Sequence, residues 1–164
     1  MTPIDRRPAS LSRWASLVAA LVAVAASGLY SYPSLALGVL GLSILGLALW
    51  RGSNAGVTTG AFAIFLGALL TGAWVGPVVP TLVGITGSVL AWDFGITAIG
   101  VGAHLGREAE TGRLEGVHLA ASTGIGVASA GIGYGLYSAG TGGQPVAALI
   151  FLLLSAVLLL YALG

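Results

Sequence analysis

Residues 78–103 read VVPTLVGITGSVLAWDFGITAIGVGA, an apolar run whose single charge is Asp93. Crossing a hydrocarbon core of about 30 Å takes roughly 17–25 helical residues, so this stretch is long enough to span a bilayer. Nothing in it alternates with period two, and an open sheet could not leave its edges in lipid, so the run reads as a helix. Working outward, five more runs follow the same pattern: Leu11–Tyr30, Leu35–Trp50, Val57–Val75, Val117–Tyr137 and Val146–Leu163. Short polar or turn-forming pieces separate them, and the prolines sit at boundaries or first turns, where a missing N–H is harmless. The expectation is an all-α integral membrane bundle of about six transmembrane helices, forming a single polytopic domain over residues 1–164. Leu35–Trp50 is the shortest of the six.

Composition agrees with a bilayer as the solvent. The chain has 57% hydrophobic and 7% charged residues, with a mean hydropathy of +1.01. Soluble domains carry about 25% charged residues. A net charge of +1 without a basic stripe argues against nucleic acid as a partner. The absence of cysteine removes disulfides, thiolate metal sites and cysteine nucleophiles together. Nucleophile elbows, HExxH and phosphate loops are missing from the sequence, so an enzyme is not expected. No cofactor is expected either.

Orientation follows from arginine, which supplies all six basic residues. Arg6 and Arg7 precede the first run and Arg13 lies at its very start, Arg51 follows the second, and Arg107 and Arg113 lie between the fourth and fifth. With six crossings all fall on one side, predicting cytoplasmic termini and a multi-pass protein of the cell (plasma) membrane. Arg6-Arg7 and Ala23-Val24-Ala25 resemble parts of a signal peptide. The apolar run continues to Tyr30, however, and removing it would strand Arg51 on the wrong side, so the segment reads as a retained helix.

Glycine supplies 27 of the 164 residues and is concentrated in the helical runs. Gly38 and Gly41, Gly84 with Ser88, Ala120-Gly124-Ala128 and Gly131/Gly135 are small-residue faces that let backbones approach closely in lipid. They suit a tight intramolecular bundle or a face reserved for a protein partner or self-association, and the fifth run is the candidate for either. Trp14, Trp50, Trp74, Tyr30, Tyr32, Tyr137 and Tyr161 fall near predicted helix ends, as an aromatic belt does. Trp92 reads differently, deep in the fourth run beside Asp93.

Two places hold candidate chemistry. A carboxylate at mid-bilayer costs at least about 2.5–3.5 kcal/mol. Asp93 lies 11 residues before His104, roughly 16 Å along a straight helix, so it reads as a proton or cation site or as an acid locking helix packing through hydroxyls on helices three and five. The second place is a charged cytoplasmic hairpin over 104–116, with His104, Arg107, Glu108, Glu110, Arg113, Glu115 and the adjoining His118. A turn near Thr111-Gly112 would set Glu108 against Glu115 and His104 near the depth of His118. Glu115-x-x-His118 has a spacing found in carboxylate metal sites of bundles. The same residues also give ordinary pairs such as Arg107–Glu110 at solvated helix ends, and no metal is assigned.

Leu90-Ala91-Trp92-Asp93, Leu105-Gly106-Arg107-Glu108-Ala109-Glu110-Thr111, Arg113 and Glu115-Gly116-Val117-His118 resemble a family of small multi-pass membrane proteins of haloarchaea. Its pattern is a Trp-Asp pair, a Leu-Gly-Arg-Glu-Ala-acid-Thr element and an Arg-x-Glu-x-x-His ending. The chain departs from it between Phe94 and Ala103, which is apolar here. Genes of that family lie beside those of MoxR-type ATPases and von Willebrand-domain proteins, so the resemblance implies a membrane accessory protein. The expected function is thus a non-enzymatic scaffold or accessory subunit of a membrane complex. The alternative is a small proton- or cation-coupled transporter or channel using Asp93.

Overall fold

In the computed structural model, which describes residues 9–74, 78–105 and 112–140, the first five apolar runs are helical over their described residues. Helices α1 (Ser10–Gly28), α2 (Tyr32–Arg51), α3 (Asn54–Trp74), α4 (Val78–Leu105) and α5 (Gly112–Gly140) follow in order. All five are long and apolar enough to cross a membrane. The sixth run, Val146–Leu163, and both termini lie outside the described residues. Residues up to Ala130 form one compact unit, and those from Gly131 belong to a second.

Local chemistry sets the ends. Helix α2 starts three residues before its apolar run because the Ser31 hydroxyl accepts the Ser34 N–H (3.3 Å) and Pro33 sits in the first turn. It stops at Gly52, whose φ of 68° is left-handed, with the Ser53 N–H donating to the Ala48 carbonyl at 2.9 Å. Helix α5 starts five residues before its apolar run, so Arg113 and Glu115 lie inside a helix rather than in a loop.

Helices α1 to α4 run alternately up and down. Their principal pairs are α2 with α3 and α1 with α4, with α3 against α4 next. Small residues fill these seams. The buried stripe of α1 is Ser12, Ser16, Ala20, Ala23 and Ser27. Gly84 and Gly87 of α4 come so close to it that an added Cβ would lie 3.0 Å from Ser27 Cβ and 2.9 Å from Ala23 Cβ. Between α2 and α3 the backbones themselves meet: a Cβ on Gly41 would sit 2.5 Å from the Gly60 carbonyl oxygen. Such faces associate by van der Waals packing, the force left to helices in lipid.

The registers show that α4 overshoots its neighbours. The Ala9 N–H, just before α1, donates to the Ala98 carbonyl (2.9 Å). Gly95 meets Val57, four residues into α3. Residues 98–105 therefore continue past the starts of α1 and α3, by roughly 10 Å at 1.5 Å per residue. Helix direction gathers Arg13, Arg51 and Arg113 at this same end.

Candidate functional site

The overshoot changes the depth of Asp93. Measured along α4 it is still twelve residues from Leu105, but the rest of the bundle ends much sooner. Asp93 lies five residues before Ala98, roughly 8 Å inside the level where α1 begins. It is thus one to two turns in from the arginine-bearing end, not at the middle of the bundle. Trp92 shares that level: its Nε1–H donates to Thr58 Oγ1 (3.1 Å), in the second turn of α3. Trp14 sits one turn into α1, with the Arg13 guanidinium 5.8 Å from its ring centroid. Trp92 therefore joins Trp14 and Trp50 at one end of the bundle, as an interfacial belt would. The reason is mechanical: depth is set by where neighbouring helices start, which the length of a single run does not reveal.

Helix α5 runs antiparallel to α4 with a register that carries His118 past His104 to Asp93. His118 Nε2 is 3.0 Å from Asp93 Oδ2 and 3.0 Å from Thr97 Oγ1. Thr97 is one helical turn from Asp93, so the three side chains form a cluster on the α4–α5 seam. Thr97, on α4 itself, meets His118 rather than Asp93. The 3.0 Å contact with Oδ2 is an ion-pair distance without hydrogen-bond alignment, and Oδ2 is shielded yet has no aligned donor. The side chains of His118 and Asp93 are 36% and 30% exposed.

Glu115 has the opposite environment. It is 3% exposed, and its Oε2 accepts both the Ser12 N–H (2.8 Å) and the Ser12 hydroxyl (2.7 Å). Ala9, at the N-cap of α1, has no side-chain acceptor to offer, so Glu115 reaches across from α5 to satisfy an amide in the first turn. A carboxylate at that place also meets the positive end of the α1 dipole. Sequence reading placed Glu115 among the polar hairpin residues and did not pair it with Ser12. The available signal was the stripe Ser12, Ser16, Ala20, Ala23, Ser27, whose hydroxyls mark the buried side of α1. Ser16 of that stripe donates to the Ala91 carbonyl at 2.6 Å.

Of the other candidates, Arg113 is exposed in the first turn of α5 and His104 belongs to the last turn of α4. Arg107 and Glu108 lie outside the described residues. Among the described residues no three His, Asp or Glu side chains converge as a metal site would require.

These environments predict different responses. Asp93 is partly exposed and holds no donor that lacks another partner, because His118 retains Thr97. Both Asp93→Asn and Asp93→Leu should therefore leave the bundle folded in detergent, with only a small change in thermal stability. Loss of a cellular phenotype in either, at normal protein levels, would mark Asp93 as functional. A large loss of stability in the Leu variant alone would mark it as a packing residue.

Comparison with known proteins adds a family. A family of unknown function, DUF7519, matches residues 6–160, while no curated protein and no solved structure matches.

Proposed function

From the premise that this chain belongs to the DUF7519 family, we propose that it is a non-enzymatic integral membrane subunit that takes a protein partner, or a second copy of itself, along α5. In this reading the arginine-bearing end is cytoplasmic and the bundle lies in the cell membrane, with both chain termini on the cytoplasmic side. The observation that carries the proposal is the contrast between α5 and the other helices. Between Gly112 and Ala130 only Glu115 is buried. Gly116 and Gly124 face open space, whereas Gly41, Gly60, Gly84 and Gly87 are all pressed against neighbours. A helix-interior glycine costs roughly 0.5–1 kcal/mol relative to alanine, and nothing in the described packing requires one at 116 or 124. A closely approaching second helix would require both. The accessory role implied by the resemblance to small haloarchaeal membrane proteins points the same way.

A single cysteine tests it directly, because the chain has none of its own. Gly124→Cys, crosslinked in native membranes with a short bifunctional reagent and extracted in mild detergent, should yield a covalent adduct with another polypeptide. Mass spectrometry of the adduct then names the partner. Links confined to the same chain, or none above those of an exposed lipid-facing control such as Phe62→Cys, would overturn the proposal.

The alternative reading, a small transporter or channel using Asp93, has the Asp93–His118 contact in its favour. An acid beside a base can pass a proton, which a lone acid does poorly. Against it stands the shallow position of the pair, which leaves most of the membrane thickness without a described titratable side chain.

A further inference from the structure

Between α3 and α4 runs a trough of about 270 Å³ lined by Thr58, Ala61, Phe62, Phe65, Ser88, Val89 and Trp92. We propose that this trough is a binding site for one acyl chain of a membrane lipid. Three features of its construction point to that occupant.

Its cross-section fits a single chain. Ala61 and Ser88, 4% and 1% exposed, form a small-residue floor, and the walls rise as Phe62 on α3 and Val89 and Trp92 on α4, all well exposed. Phe62 and Phe65 hold their wall stiff by stacking, with centroids 6.4 Å apart. A transmembrane helix seats itself on small residues across a broad face, whereas here large side chains bracket a narrow floor. The volume falls just below the roughly 300–1,000 Å³ of ordinary ligand pockets, enough for a length of one chain and too little for a two-tailed lipid with its headgroup.

Its chemistry is that of hydrocarbon. The lining has no charge, and its few polar groups bond to protein. Trp92 Nε1 donates to Thr58 Oγ1 (3.1 Å), and the Ser88 hydroxyl donates to the Ile85 carbonyl (2.7 Å). What remains open to a ligand is mostly hydrocarbon.

Its placement matches how a lipid tail lies. The Thr58–Trp92 end lies one to two turns inside the starts of α1 and α3, at the level of Trp14, and the trough follows the helices inward to Phe65 and Ser88. That is roughly 10 Å along α3. A tail entering beside Trp92 would run along the trough as it runs in the bilayer. Leaving lipid for the trough gains no hydrophobic transfer energy, so van der Waals contact with the aromatic walls must hold the tail. The site would then select by shape, and a lipid would survive mild detergent extraction.

Trp92 is a built-in reporter. In a variant carrying Trp14, Trp50 and Trp74 as Phe, the fluorescence of Trp92 is followed in detergent while a phosphatidylcholine with a brominated acyl chain is titrated in. The expected result is quenching that saturates as a single site, and that Val89→Phe abolishes by filling the trough from its exposed wall without disturbing the floor. A companion variant keeping only Trp74, outside the trough, should quench weakly and without saturation. The proposal is overturned if Trp92 behaves like Trp74. It is equally overturned if Trp92 resists quenching because a polypeptide covers it, a result that would assign the trough to a protein partner.

Discussion

Replacing Gly60 with valine should prevent the bundle from forming. A Cβ at this position would sit 2.6 Å from the Leu45 nitrogen and 2.7 Å from the Gly41 carbonyl oxygen. Both obstacles are backbone, so no rotamer change relieves them, and α2 and α3 must separate along their main seam. Farther along that seam Gly67 would strike the Ser34 carbonyl at 2.9 Å, so a local shift at Gly60 is transmitted rather than absorbed. Overpacking a core costs about 1–3 kcal/mol and occasionally more, and a backbone obstacle lies at the upper end. Gly60→Val is therefore expected to yield aggregated protein on size-exclusion chromatography in detergent, and Gly60→Ala a much lower melting temperature. Gly124→Ala, facing open space, should keep the bundle intact and leave the melting temperature unchanged or slightly raised. Equal behaviour of the Gly60 and Gly124 variants would mean that α2 and α3 do not touch as described.

That contrast also shows what can be read in a sequence like this one. The helices themselves were legible because lipid forces every backbone polar group to be satisfied within a helix, and runs such as Val57–Val75 have no other way to do so. The boundary of α5 was less legible. Gly112 to Gly116 looks like loop by polarity, yet it is helical because Glu115 finds its partners on α1 rather than in water. Spacing rules see only neighbours on one helix, so a partner 103 residues away is invisible to them.

Depth was the least legible property. Asp93 sits far along an apolar run, which suggested mid-membrane, but its level follows from the contacts of Ala98 with Ala9 and of Gly95 with Val57. Those contacts depend on which small residues nest together, and many registers offer a glycine opposite an alanine. The same register brings His118 to Asp93, although eleven residues of α4 separate Asp93 from His104, the expected neighbour of His118. Hydroxyls acting in the site, Ser12 and Thr97 above all, were passed over because serine and threonine occur freely in transmembrane helices, bonding their own backbone as Ser43 and Thr59 do.

The second large effect should come from Glu115, and it separates the two carboxylates of the bundle. Removing the side chain in Glu115→Ala leaves the Ser12 N–H buried without its acceptor, in the first turn of a helix whose N-cap residue is alanine. An unsatisfied buried donor costs about 1–3 kcal/mol, more when its lost partner is charged. The lost interaction with the α1 dipole adds to this. Glu115→Ala should therefore lower stability by about 3 kcal/mol, several times the change expected at Asp93. Glu115→Gln keeps an oxygen acceptor of the same reach and should recover part of the loss. Ser12→Ala removes one of the two hydrogen bonds and should cost less than Glu115→Ala. The two substitutions should be far from additive in a double-mutant cycle, since both break the same contact. The readout is the unfolding midpoint in mixed detergent micelles. Additive losses would show that Glu115 acts through some other contact, and α1 would then have to find its N-terminal acceptor elsewhere.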